Sequence, residues 1–169
     1  MITTERLVLR PYVADDIAAV YAVLYSDADA MRLIGGAVDI DETRRRIEFY
    51  IALHEQTGTS FWAVIERATG AIVGEAGLLP FNGKGPEIEL GYAFGAAYWG
   101  RGYATEIGRA LVAHAFGTLE REQVLAVTNP LNVGSRHVLE KLGFVQQGRI
   151  QAWGDEQLYF VLRRPAAPD

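Results

Sequence analysis

The stretch from Glu87 to Thr118, EIELGYAFGAAYWGRGYATEIGRALVAHAFGT, constrains this chain more than any other. Its first part alternates as a strand does. Ile88, Leu90, Tyr92 and Phe94 point one way, and Glu87, Glu89, Gly91 and Ala93 the other. The second face sets a carboxylate beside two side chains too small to fill space, which leaves room for something to lie along the strand. A turn of small residues follows (Gly100, Arg101, Gly102, Tyr103, Ala104), and then a helical run. Ile107, Ala110, Leu111, His114 and Ala115 fall at helical spacing and make one mostly apolar face. A helix start carries N–H groups without intrahelical partners and a partial positive charge. Strand, small-residue turn and helix start together suit a phosphate. From the glycines alone, a tight turn that needs them for its backbone angles reads equally well.

Two familiar phosphate loops do not fit. A Walker loop places Lys and then Ser or Thr after its last glycine, where this chain has Tyr103-Ala104. A dinucleotide fingerprint needs a third glycine, and here Gly100-x-Gly102 leads to Thr105 instead.

Composition narrows the classes further. The 169 residues are most simply one domain, 1–169, and 50% of them are hydrophobic, enough for a proper core. The formal charge of −5 argues against general nucleic-acid binding, which needs a basic footprint. There is no cysteine, hence no thiolate chemistry, and the three His (His54, His114, His137) show no metal-ligand spacing, so no metal is expected. No run reaches the ~18 apolar residues of a membrane span, and the first residues lack a signal peptide's apolar core; a cytoplasmic location is the expectation.

Along the chain, Glu5 to Val13 reads as a first strand. Ala14-Asp15-Asp16 starts a helix running to Tyr25. Ser26 to Ile40 reads as irregular. A second helix opens at Asp41 or Thr43 and ends at Gly58, and its Arg44-Arg45-Arg46 run is most simply a solvated face, the alternative being a guide for an acidic substrate. Phe61 to Glu66 and Ala71 to Leu79 form a hairpin, and Pro80 to Pro86 loops into the central strand. After the glycine-turn helix come a strand at Gln123 to Thr128, a helix from Asn132 to Leu142 stopped by Gly143, and strands near Phe144 to Ile150 and Gln157 to Leu162. Arg163 to Asp169 reads as a frayed end. This order gives a mixed sheet flanked by helices.

Three segments carry a family resemblance. Trp99-Gly100-Arg101-Gly102-Tyr103-Ala104 resembles the pyrophosphate loop of the GNAT N-acetyltransferases, written Q/R-x-x-G-x-G/A, with Trp99 in place of the usual Gln or Arg. The string Tyr98 to Glu106 is similar to that of the RimJ/RimL-like branch. Thr4-x-Arg6-Leu7-x-Leu9-Arg10-Pro11 with Asp15-Asp16 resembles that branch's first strand, and Asn132-x-x-Ser135-x-x-Val138-Leu139-Glu140-Lys141-Leu142-Gly143-Phe144 resembles its N-x-x-S-x-x-V-L-E-K-x-G-F segment.

The resemblance implies an α/β GNAT fold: a mixed, mostly antiparallel sheet of about seven strands and about four helices, with two central parallel strands splayed into a V. It implies acetyl-CoA as cosubstrate in that opening, held by Tyr92, Ala93, Phe94, Gly100, Arg101, Gly102, Tyr103, Ala104, Thr105, Asn132 and Ser135, and an amine acceptor, either a peptide N-terminus or a small amine. It also admits a homodimer. Each of these residues keeps a plainer reading. Asn132 is a good helix N-cap, Ser135 an ordinary first-turn serine, and Gly143 a helix C-cap. Glu89 is either a solvent-facing strand residue or, as in many family members, the group that takes the amine proton; Glu87 ranks second. Many GNAT enzymes protonate the leaving thiolate with a Tyr seven residues after the helix-starting Asn. Here that position is Leu139, and Ser135 is the carried-over candidate. A backbone N–H near Tyr92 to Phe94 would stabilise the thioester oxygen. A CoA-binding module without turnover is the alternative. Acceptor choice is expected to lie in Ser26 to Ile40, the second helix, Pro80 to Pro86 and the hairpin at Trp153-Gly154-Asp155, where Asp155 and Glu156 read as turn residues.

Overall fold

The computed structural model describes residues 1–166. Eight strands form one sheet: β1 Ile2–Thr3, β2 Leu7–Pro11, β3 Phe61–Glu66, β4 Ile72–Pro80, β5 Ile88–Phe94, β6 Gln123–Thr128, β7 Val145–Ala152 and β8 Asp155–Arg163. Their order is β1-β2-β3-β4-β5-β6-β8-β7, with every neighbouring pair antiparallel except β5 and β6. This is the expected α/β arrangement with one more strand, because Ile2–Thr3 pairs with Leu9 and Val8. The helices are α1 Ile17–Val20, α2 Ala28–Met31, α3 Ile40–Thr57, α4 Tyr103–Gly117 and α5 Val133–Lys141. None is long and apolar enough to cross a membrane.

Alternation along the strands divides the core in two. Leu9, Val64, Ala76, Leu90 and Phe94 join Ile107, Leu111 and Ala115 of α4 and Leu139 of α5 on one side of the sheet. Tyr12, Ile17, Val20, Leu24, Tyr25, Met31 and Ile47 form the second cluster, packed against Phe61 and Ala93 on the other. A fully buried Leu or Ile contributes roughly 2 kcal/mol relative to exposure, so both layers hold firmly to the central strands.

Several local departures from the sequence reading have clear causes. The first helix is composite: a 3₁₀ turn at Ala14–Asp16, then α1, then a π turn at Tyr21–Tyr25. Its start is fixed by Asp16, which accepts from Arg10 Nη1 and Nη2 at 2.7 and 2.8 Å and from the Val13 N–H at 2.9 Å. Burial opposes the Asp16 charge, yet those donors hold its carboxyl below the usual range. Within Ser26 to Ile40, read as irregular, α2 forms under Asp27, whose Oδ1 accepts from the Asp29 and Ala30 N–H groups. The cap of α3 is Asp39, through a 2.7 Å bond from the Glu42 N–H, not Asp41 or Thr43. Arg45 and Arg46 both pair with Glu42, so that part of the Arg run serves the helix itself. Arg163 closes β8 and the Arg164 N–H donates to the Glu122 carbonyl at 2.8 Å, so those two are not frayed. Ala167 to Asp169 of the expected frayed end lie outside the described residues.

Candidate active site

The glycine turn is shaped by backbone angles. Gly100 and Gly102 sit at φ of 74° and 80°, the left-handed region. A Cβ on Gly100 would meet nothing within 4 Å, and one on Gly102 only Arg6 Nη2 at 3.5 Å, so torsion and not crowding requires glycine there. Gly102 caps α4 without a side-chain bond, and the first intrahelical bond runs from the Glu106 N–H to the Gly102 carbonyl at 3.0 Å. The N–H groups of Tyr103, Ala104 and Thr105 therefore have no intrahelical acceptor, which is the arrangement that receives an anion.

The Thr4-x-Arg6 motif braces this cradle from behind. Glu106 Oε1 accepts from Thr4 Oγ1 at 2.6 Å and from the Arg6 N–H at 2.9 Å, while Arg6 Nε donates to Oε2 at 2.7 Å. Arg6 Nη1 also donates to the Arg101 carbonyl at 2.8 Å. Arg101 itself turns away. Its guanidinium lies over the Tyr98 ring at 5.0 Å, donates to the Ala97 carbonyl and pairs with Glu66 at 3.7 Å. Tyr103 is likewise anchored, its hydroxyl donating to Glu66.

The turn opens onto a cavity of about 1470 Å³. Its walls are the diverging parallel strands. Glu89 and Leu125 are the one registered pair between β5 and β6, whereas β5 pairs with β4 along its whole length. Past that point Leu90 to Phe94 line one wall and Ala126 to Asn129 the other. Strands that part this way leave backbone N–H and C=O groups free to meet a ligand. Gly100, Gly102, Tyr103, Ala104, Thr105, Asn132 and Ser135 also line the cavity; Arg101 does not.

A side-chain bridge spans the V. Tyr92 on β5 places its hydroxyl 3.1 Å from Ser135 Oγ and donates to the Ser135 carbonyl at 3.2 Å. Burial pushes the Tyr92 hydroxyl up to about 12, with Ser135 pulling slightly the other way. Asn132 does cap α5, its Oδ1 accepting from the Ser135 N–H at 3.0 Å, so only its amide N–H₂ remains to donate. Leu139 is core, 1% exposed.

Glu89 stands at the apex of the V and is 8% exposed, not a solvent-facing strand residue. Burial raises its carboxyl to about 7, opposed by the hydrogen bond from the Trp153 side chain and, less, by the nearby Asn82 backbone. The Trp153 indole N–H lies 2.9 Å from Oε2 and 3.2 Å from Oε1. Glu87 is exposed and precedes β5.

Two features escaped the sequence reading. The face carrying Glu89, Gly91 and Ala93 is not left empty at its centre: a Cβ on Gly91 would lie 2.5 Å from Phe61 Cζ, so the Phe61 ring occupies that space. The small residue admits a ring from β3, and the open volume lies beyond it. The second is Glu75 on β4, 5% exposed, which shares that face and also borders the cavity. A carboxylate inside the apolar run AIVGEAGLL was its signal. Trp153 and Asn82 had only their places in a turn and a loop.

The comparisons with known proteins converge on the same reading. The Acetyltransferase (GNAT) domain family matches residues 6–145. Bacillus subtilis (strain 168) has similar chains in uncharacterized protein YkkB, 29% identical over 90% of this chain and 89% of that one, and in uncharacterized N-acetyltransferase YnaD, 26% identical over 95% and 96%. The crystal structure of a GNAT-family acetyltransferase from Bacillus anthracis superposes with a TM-score of 0.82 at 25% identity, covering 96% of this chain and 97% of that one. With unpartnered N–H groups at the start of α4, a V between β5 and β6 and a matching family pattern over most of its length, this chain belongs to the GNAT acetyltransferases, a family that uses acetyl-CoA.

Proposed function

We propose that the chain acts as one domain that moves an acetyl group from acetyl-CoA to a primary amine, by direct attack with both substrates bound. The observation that carries this reading is Glu89: a buried carboxylate raised to about 7 at the apex of the V, in the same cavity as the anion cradle. A base for an amine works best when its own pKa lies near the operating pH.

The residues suit acetyl-CoA. Free N–H groups of Tyr103, Ala104 and Thr105 and the open space at Gly100 accommodate a pyrophosphate, and the Asn132 amide can donate to an acceptor in the V. Acetyl-CoA supplies the activated acyl group. Glu89 takes the proton that a protonated amine must lose before it can attack. A backbone N–H between Tyr92 and Phe94 would stabilise the thioester oxygen. The Ser135 hydroxyl, 3.1 Å from the Tyr92 oxygen, would turn its proton from there toward the leaving sulfur.

For the acceptor, a protein or peptide N-terminus and a small-molecule amine both fit a cavity this wide. A RimJ/RimL-like assignment draws support from the structure of a putative ribosomal-protein-serine acetyltransferase from Vibrio cholerae, which shares the fold at 23% identity and a TM-score of 0.81. Aminoglycoside acetyltransferase AAC(6')-Ib in complex with coenzyme A shares the fold as well, at 20% identity and a TM-score of 0.78.

Calorimetric titration with acetyl-CoA, CoA, ATP and NAD tests the cofactor half of this reading, on the wild type and on Gly102→Glu. The variant puts a carboxylate at the anion cradle on a backbone with φ of 80°. Saturable binding of the CoA compounds alone, lost in the variant, is expected. Binding of ATP or NAD instead, or of none of the four, would overturn the assignment.

A further inference from the structure

Two turns, distant in sequence, close on one carboxylate. Trp153 and Gly154 sit at φ of 54° and 89°, as the central residues of a hairpin turn between β7 and β8. Such a position suits Asn, Asp or Gly, and a tryptophan there is uncommon. Its side chain is half exposed, so core packing does not account for it either. What the side chain does is donate its indole N–H to both oxygens of Glu89, the nearer at 2.9 Å.

The hairpin tip is held to that task. The Trp153 backbone N–H donates to Asn82 Oδ1 at 3.1 Å. Asn82 is itself in the left-handed region, at φ of 49°. Across the sheet the neighbours of Glu89 are Leu79 and Leu125. Among the described residues Glu89 has no ion pair: Lys84 of the covering loop makes none with it, Asp155 of the hairpin carries the same sign of charge, and Glu156 pairs with Arg149 instead. Among the described residues the neutral Trp153 indole is the only side chain that donates to this carboxylate.

We propose that Trp153 is a positioning residue for acetyl transfer: its indole N–H, clasped in place through Asn82, fixes the Glu89 carboxylate so that its remaining lone pairs face the acceptor. The proposal rests on Glu89 as the base, and it makes the base depend on two loops that border the acceptor side. A shift in the hairpin tip that moved the indole would leave Glu89 more basic and less well aimed.

The test uses the intact protein and needs no acceptor for its first readout. Of the three tryptophans, Trp99 donates to the Phe94 carbonyl and Trp62 Nε1 is buried without a partner, so Trp153 alone has a carboxylate to report on. In a ¹⁵N-indole NMR titration, one indole resonance should move with the midpoint of the ¹³C-labelled Glu89 carboxyl and stop moving in Glu89→Gln. In Trp153→Phe, which keeps a ring but deletes the donor, that carboxyl midpoint should rise by about one unit, because a bond to the charged form is lost. Asn82→Ala should shift it the same way by less. An unchanged midpoint in Trp153→Phe overturns the proposal and leaves Glu89 as base untouched. A shifted midpoint with full turnover in Glu89→Gln, measured with acetyl-CoA and a short peptide bearing a free N-terminal amine, overturns the base reading instead, and the positioning role with it.

Discussion

Glu75 on β4 and Glu89 on β5 are nearly twins by every local measure. Both lie in apolar strands, both are less than a tenth exposed, and burial raises both to about 7. The register pairs Glu75 with Ala93 and Leu79 with Glu89, so the two carboxylates share one face of the sheet, roughly 14 Å apart by strand geometry. Between them the Phe61 ring sits over Gly91. Their partners separate them. Glu75 accepts from the hydroxyls of Tyr12 and Tyr25, each fully packed in the second core cluster, at 2.9 to 3.0 Å. Glu89 accepts from a half-exposed indole, at the apex of two diverging strands. A raised carboxyl is thus no mark of a base by itself. What separates the proposed base is its cover: a surface turn over Glu89, core tyrosines over Glu75, although both border the same cavity.

The same swap at the two positions should give the widest separation. Glu89→Gln should lower acetyl transfer at neutral pH by about 10²- to 10⁴-fold, the range a general base contributes, with recovery at high pH where the amine deprotonates unaided. Glu75→Gln should stay within a few-fold of wild type. Steady-state rates against pH for both variants, with acetyl-CoA and a peptide amine, check this. Equal losses would break the comparison and place Glu75 in the reaction.

Stability should expose what the carboxylates have in common. A carboxyl whose folded value lies above its unfolded one binds its proton more tightly in the folded state. Stability then falls as pH rises from about 4.5, through the folded value near 7. A shift of that size corresponds to about 3 kcal/mol for each group. Asp16 and Glu106, held down by their donors, act in the opposite sense and lose their contribution as pH falls below the ordinary carboxylate range. Denaturant melts between pH 5 and 8 should therefore show a decline with rising pH. Glu75→Gln and Glu89→Gln should each remove about half of it. A melt that strengthens from pH 5 to 8 would show that neither carboxyl is raised.

The likeness of the two sites explains how much could be read beforehand. The β5–turn–α4 unit was legible because its signals are local: alternation gives way to helical spacing across two glycines. Glu89 was legible because a charge amid apolar strand residues stood beside Gly91 and Ala93. Glu75 emits the same signal, in AIVGEAGLL, but its tyrosine partners lie 63 and 50 residues away and nothing near it in sequence announces them. Trp153 is 64 residues from Glu89 and 71 from Asn82, and a Trp-Gly-Asp string reads as a turn whatever its side chain reaches. Phe61 over Gly91 is a third case: the sequence tells that a space exists, while only the strand order tells which ring enters it. Periodicity specifies elements and faces, but pairing across the sheet decides which polar groups meet.

The finest distinction concerns the donors. Tyr25 reaches Glu75 because the turn Tyr21–Tyr25 is a π turn, which brings this tyrosine into the core at 1% exposure. Tyr25→Phe keeps the ring and its packing and removes one hydroxyl. At pH 8, where Glu75 is charged, the carboxylate loses a donor it cannot replace from water, and the variant should be about 1–2 kcal/mol less stable than wild type. At pH 5 the carboxyl is protonated and needs fewer donors, so the cost should shrink to a few tenths. The same loss of a donor raises the Glu75 midpoint further, which extends the alkaline decline to higher pH. Acetyl transfer should be unaffected at any pH where the variant is folded. A Tyr25→Phe enzyme whose rate profile moved while its melts did not would put Glu75 on the catalytic side of the comparison. The cavity would then hold two working carboxylates, placed on either side of Phe61.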